Sequence, residues 1–166
     1  DSDLSEVCAL QSHDEEDEGW QEQQNLHESF AGTIEQMEEF TLAIPKTTET
    51  GNYRTINQNE FFIECLINGE GNSVIHFYDE KSDISKSIDD YLSVMSDQFP
   101  GCKFLRIDGE WTHFVSAKLM IDTFPTVLAI RDRVVLDRLS DFDGQMSVTA
   151  YDIEEWLISN LPNIHK

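Results

Sequence analysis

The sequence predicts an α/β domain, a mixed β-sheet with helices on both faces, preceded by an acidic extension that carries a short helix. Three observations point there. From residue 53 onward, apolar runs of strand length alternate with segments of helical period. The last two apolar runs are separated only by Arg131-Asp132-Arg133, which reads as a hairpin turn. Composition changes near residue 50: residues 1–50 hold 14 Asp/Glu against one basic residue, Lys46. The chain therefore divides into a largely flexible acidic segment, 1–50, and a folded domain, 51–166.

Each element has its own local signal. Residues 1–19 include the run HDEEDEG, whose like charges repel and which buries nothing, so they read as disordered. Within 20–42, Leu26, Phe30, Ile34 and Met37 recur at spacings of four, four and three, with Trp20 and Phe40 near the ends. That stripe predicts a short helix that needs a surface to lie on, since Gly32 and the lack of basic residues leave it marginal alone. The stripe is a candidate for partner binding, and its alternative resting place is the chain's own domain. Residues 44–52 read as a linker.

In the domain, YRTI (53–56) is a strand. NQNEFFIECLI (57–67) is a helix with Asn57 at the cap and Glu60 three residues on, the pattern of a capping box. SVIHFY (73–78) is a continuous apolar strand of the kind buried on both faces. Ile84, Ile88, Tyr91, Leu92, Met95 and Phe99 then mark a helix that Pro100-Gly101 ends. CKFLRID (102–108) is a third strand and FVSAKLMI (114–121) a short helix. PTVLAI and VVLDRL form the hairpin, and a last helix capped by Thr149 aligns Ile153, Trp156, Leu157 and Leu161. Strands joined by helices must run parallel through right-handed crossovers, while the hairpin is antiparallel. This order is that of a thioredoxin-like fold.

Three blocks carry a closer resemblance: GNYRTINQNEFF (51–62) with VIHFY, KFLRIDGEWTHFVSAKLMIDTFPTVLAI (103–130), and VVLDRLSDFDG (134–144). Together they resemble the thioredoxin-like domain of the phosducin-like protein family, in its thioredoxin-domain-containing subgroup. Phe114, Lys118, Leu119, Ile121, Pro125 and Thr126 match the subgroup without a gap. Asp137, Arg138, Phe142 and Asp143 match its Asp-Arg and Phe-Asp signature, with Asp141 where glycine is usual. The resemblance covers about 110 of 166 residues. The acidic N-terminal region departs from the basic, helix-rich regions common in the family. The resemblance implies a non-catalytic cofactor of the cytosolic ring chaperonin that modulates folding of actin, tubulin or G-protein β subunits. Its alternatives are a G-protein βγ-binding regulator and a weak thiol oxidoreductase. It also implies that Pro125 is cis.

Thioredoxins carry Cys-x-x-Cys where the central strand turns into its helix; here the stretch is Ser82-Asp83-Ile84-Ser85. A serine cannot exchange disulfides, which requires a thiolate and a resolving thiol. Ser82 and Ser85 are thus degenerate redox positions, and Ser82 reads as a helix cap. A nucleophilic role for Ser82 would need a base, and His76 is the local candidate. No Gly-x-Ser-x-Gly elbow, phosphate-binding Gly-rich loop or zinc-ligand spacing is present, so no cofactor is expected. DFDGQ (141–145) lacks the full calcium-loop pattern and reads as a turn.

The net charge of −22 argues against nucleic acid and anionic membrane as partners and for a basic protein surface. No apolar run is long enough to span a membrane. Cys8, Cys65 and Cys102 lack disulfide-like spacing, no N-glycosylation acceptor occurs and no signal segment is evident, so a reducing, cytosolic or nuclear compartment is expected, and with the resemblance a cytoplasmic one. Because the chain opens on Asp1, a trimmed N-terminus is expected as well.

Overall fold

A computed structural model describes residues 24–32, 52–140, 142, 148–161 and 163–164. Six strands form one sheet: β1 (Gln24–Asn25), β2 (Tyr53–Ile56), β3 (Asn72–Tyr78), β4 (Cys102–Asp108), β5 (Thr126–Arg131) and β6 (Val134–Leu139). Their spatial order is β1-β6-β5-β3-β4-β2. β2, β4 and β3 run parallel, and β5, β6 and β1 are added antiparallel. The mixed sheet expected from the crossovers and the hairpin is the one observed.

Strand alternation sorts the core into two layers. On one face Ile75, Phe77, Leu105, Ile107, Leu128 and Ile130 meet α1 (Leu26–Ser29), α2 (Gln58–Phe61, continuing through Phe62–Ile67) and α4 (His113–Lys118). On the other, Val74, Phe104, Val127 and Ala129 meet α3 (Asp83–Gln98) and α5 (Ala150–Asn160). The helix starts follow their caps. Asn57 and Glu60 close a reciprocal capping box, Ser82 accepts from the Ser85 amide, and Thr149 pairs with Asp152 in a second box. The second half of α2 widens to π-type bonding, with the Asn68 amide reaching the Ile63 carbonyl.

Two differences from the sequence reading have physical causes. The helix expected at 114–121 ends at Lys118, because Met120 turns into the left-handed region (φ 57°) and the Leu119 and Met120 carbonyls are taken by the Arg138 guanidinium at 2.8 and 3.1 Å. Within the helix expected over 20–42, the described residues 24–32 open with a strand. Gln24 and Asn25 pair with Val135 and Val134, the Leu26 amide donates to the Arg133 carbonyl at 2.7 Å, and only then does the chain coil. Leu26 and Phe30 are fully buried, Phe30 lying among Phe61, Phe62 and Phe114 with ring centroids 5.8–6.0 Å apart. A stretch assigned to the flexible segment thus completes the core of the domain.

The hairpin places Asp132 and Arg133 at positive φ (48° and 69°), as a type I′ turn demands. For Arg133 that conformation is unfavourable, and its guanidinium offsets it by donating to the Leu66 and Ile67 carbonyls at 2.5 and 2.9 Å, capping the end of α2. A register shift between Ala129 and Ile130 bulges β6 at Leu136. It lets Asp137 face α5, accepting the Trp156 indole N–H at 2.8 Å, while Arg138 faces α4.

Truncating Phe30 to alanine is expected to cost about 3–5 kcal/mol, the range for emptying an aromatic core site. Urea unfolding monitored by circular dichroism measures it. An unchanged midpoint would show that residues 24–32 do not dock.

Candidate functional site

The parallel strands end on one edge of the sheet, and the candidate site is the β3–α3 turn there. Tyr78 pairs with Asp108 and Phe77 with Thr126, so this turn, the Gly109–Trp111 turn after β4 and the Pro125 loop before β5 lie side by side. The Phe124–Pro125 peptide bond is cis. Gly109 has no room for a side chain, since a Cβ there would sit 2.5 Å from the Phe124 ring. Trp111 on the same edge is 75% exposed.

Within the turn the Ser82 amide donates to the Asp79 carbonyl at 3.0 Å and the Lys81 amide to the Asp79 carboxylate at 3.0 Å. Ser82 Oγ accepts from the Ser85 amide at 3.2 Å, and Asp83 follows in the first helical turn, where the helix dipole favours an anion. Ser85 points inward and is buried. Its Oγ accepts from the Asp79 amide at 2.9 Å and faces His76 Nε2 at 3.1 Å.

His76 is fully buried on β3, on the same sheet face as α3. Its Nδ1 lies 2.9 Å from Asp89 Oδ1. The Asp89 carboxylate also accepts from the Tyr53 hydroxyl at 2.5 Å and from Arg106 Nε and NH2 at 3.1 and 3.0 Å. Arg106 reaches Thr55 at 2.8 Å and lies 3.8 Å above the Tyr78 ring, a cation–π contact. Burial lowers the His76 pKa below its usual 6.5, so the imidazole is neutral at neutral pH. One assignment satisfies every group: Nδ1–H donates to Asp89, and Nε2 accepts the Ser85 hydroxyl. Burial pushes the Asp89 pKa up, but hydrogen bonds from His76, Arg106 and Tyr53 outweigh it and hold the carboxyl at about 2. Burial first, then the Asp89 charge, raises the Tyr53 phenol far above its ordinary value.

Ser85, His76 and Asp89 thus follow one another as in a hydrolase triad, but the chemistry is closed. Ser85 is 1% exposed, and its Oγ is already engaged by the Asp79 amide and His76. The pairing of His76 with Ser82 weighed from sequence is corrected: the base faces Ser85, while Ser82 caps the helix. Thiol chemistry finds no support in Cys65 or Cys102. They lie in opposite core layers, and burial pushes both thiols up to about 12. Among the described residues, no group of three or more His, Cys, Asp or Glu is placed to hold a metal ion, and no helix is long and apolar enough to cross a membrane.

Of the apolar stripe, Leu26 and Phe30 are consumed by the domain's own core, which corrects their candidacy for partner binding. Trp20, Ile34, Met37 and Phe40 lie outside the described residues, as do residues 1–19, Cys8, most of the 44–52 linker and most of the 141–145 turn. Sequence reasoning missed Tyr53, Asp89 and Arg106. The available signal was parity: Arg106 shares a face with Phe104 as His76 does with Val74, placing polar groups inward where each needs a partner.

Known proteins agree with this architecture. Solved thioredoxins superpose on it, that of Nicotiana alata with a TM-score of 0.56 at 14% identity over 70% of this chain and 99% of its own. Spinach chloroplast thioredoxin f superposes with a TM-score of 0.57 at 13% identity, over 69% of this chain and 98% of its own. No family model matches. Among curated proteins, phosducin-like protein 3 of Dictyostelium discoideum is 28% identical over 108 residues, 65% of this chain and 58% of the relative. Phosducin-like protein 3 of Drosophila melanogaster is 26% identical over 112 residues, 66% of this chain and 51% of the relative. The chain is related to the phosducin-like, thioredoxin-domain-containing proteins. Human thioredoxin domain-containing protein 9 is similar too, at 27% identity over 113 residues, 66% of this chain and 49% of the relative. The chain spans about half the length of these curated relatives. The signature residues read from sequence have structural work in this domain: Asp137 holds Trp156 of α5, and Arg138 closes α4.

Ser85→Ala is expected to cost about 1–3 kcal/mol, because it strands the Asp79 amide and His76 Nε2 inside the protein; equilibrium unfolding reads it. The network also sets a pH dependence. His76 takes up protons less readily folded than unfolded, so its contribution is present above 6.5 and is lost as pH falls below 6.5 through its lowered folded value. Asp89 contributes fully above 3.8 and loses that contribution as pH falls towards about 2. Unfolding midpoints across a pH series are expected to decline on acidification, and His76→Gln to flatten the upper part of that decline.

Proposed function

We propose that this chain is a non-catalytic, phosducin-like co-chaperone of the cytoplasm that binds the cytosolic ring chaperonin and modulates folding of actin, tubulin or G-protein β subunits. The observation that carries this reading is the β3–α3 turn of a phosducin-like domain built with Ser82 and Ser85, both spent on local hydrogen bonds. A scaffold with no thiol at its redox position retains a rigid surface as its functional asset. The acidic charge supports a basic partner surface, attracted most strongly at low salt.

The decisive measurement is equilibrium binding of the purified ring chaperonin to the full chain. Saturable binding that weakens with added salt is expected, and no binding at low salt would reject the reading. Removing residues 1–22 tests the acidic segment while leaving Leu26 and Phe30 in the core; it is expected to weaken the complex. Insulin reduction by the full chain is expected to match that of a variant lacking Cys8, Cys65 and Cys102. A rate that disappears with one of those cysteines would establish an oxidoreductase instead.

A further inference from the structure

α3 and α5 pack side by side on one sheet face, and their outer ridges leave a groove of about 320 Å³. It is lined by Tyr91, Val94, Met95 and Gln98 of α3 and by Tyr151 and Glu154 of α5. The α3 positions follow i, i+3, i+4 and i+7, so the groove is about two helical turns, or ~10 Å, long. Val94 and Tyr151 are 58% and 67% exposed, and Ile158, two turns beyond Tyr151 on α5, is 52% exposed. Half of the exposed large apolar side chains among the described residues stand on these two helices. Neither the capping network nor the Ser82 turn uses them.

The charge around the groove is one-sided. α5 contains no Lys or Arg, and α3 contains none after Lys86. Glu154 lies in the groove itself and Asp90 and Glu155 are exposed on the same two helices, while Asp97 accepts from the Asn52 side chain and Asp152 serves the Thr149 cap. A second copy would bring the same acidic rim against this one and be repelled. The chain's own residues 33–51 carry Glu35, Glu38, Glu39 and Glu49 against Lys46, so charge disfavours them too.

The geometry points to the α3–α5 groove as a docking site for a cationic amphipathic helix of a partner protein. Its apolar anchors, spaced i, i+3/i+4 and i+7, seat against Val94, Met95 and Tyr151, and its Lys or Arg residues meet the acidic rim and the faces of Tyr91 and Tyr151. This site stands apart from the proposed chaperonin reading and does not require it.

The test uses the 15N-labelled full chain and a synthetic helical peptide with Leu at two-turn spacing and Lys at the remaining positions. Amide shifts concentrated in residues 90–98 and 150–158 are expected, with an affinity that drops on adding salt. Val94→Ser, checked for an unchanged unfolding midpoint, is expected to weaken binding about tenfold, roughly 1.4 kcal/mol. Tyr151→Ala, at a more exposed position, is expected to do the same. The proposal is overturned if a peptide of equal charge with Gln for Leu binds as well, or if both variants bind unchanged. Concentration-dependent self-association that shifts the same amides would overturn it in favour of a second copy. So would tighter peptide binding when Ile34, Met37 and Phe40 are replaced by Ser, which would assign the groove to the chain's own segment.

Discussion

The carboxylate of Asp89 is the point on which this domain is assembled. It stands on α3 and gathers hydrogen bonds from Tyr53 on β2, His76 on β3 and Arg106 on β4. Three parallel strands are thereby tied to one helix through a single side chain. A half-buried carboxylate is tolerable here because it accepts four hydrogen bonds and a guanidinium balances its charge. Removing it would leave the His76 Nδ1–H with only the Tyr53 hydroxyl, 3.2 Å away, and Arg106 with Thr55 and the Tyr78 ring. The network reaches the surface turn through Ser85, whose hydroxyl links His76 to the Asp79 amide. The position that bears a thiol in a redox thioredoxin is here the last link of a structural chain.

The opposite end of the sheet is organised by two arginines acting on carbonyls. Arg133 closes the end of α2 and Arg138 the end of α4, each donating to groups that a helix terminus leaves without partners. Arg138 also reaches the Gln24 side chain, which itself donates to the Lys118 carbonyl. The β6 bulge shifts the register by one residue, so strand alternation puts Asp137 on the α5 face and Arg138 on the α4 face. The same edge of β6 receives residues 24–25, so an acidic extension supplies both an edge strand and two core side chains, Leu26 and Phe30.

These constraints give the turn a structural role. Both serines are committed to holding the β3–α3 junction, and both buried thiols are held protonated in separate core layers. What the domain offers is surface: an exposed Trp111 on the edge beside Pro125, and an acid-rimmed apolar groove between α3 and α5.

Local signals alone determined much of this protein. Strand and helix order, the Asn57, Ser82 and Thr149 caps, the hairpin and the loss of redox cysteines follow from residue type and spacing, because each is settled within a few residues of chain. The inward position of His76 followed from strand alternation. Its partner did not, since Asp89 and Arg106 reach it only through helix docking and strand register, which couple residues 13 and 30 positions away. The stripe at Leu26 and Phe30 was legible as apolar, and its period suggested a helix over 20–42. Tertiary structure decided that the chain first pairs with β6 and that these two side chains fill the domain's own core, because the open β6 edge and the pocket among Phe61, Phe62 and Phe114 exist only once the sheet is assembled.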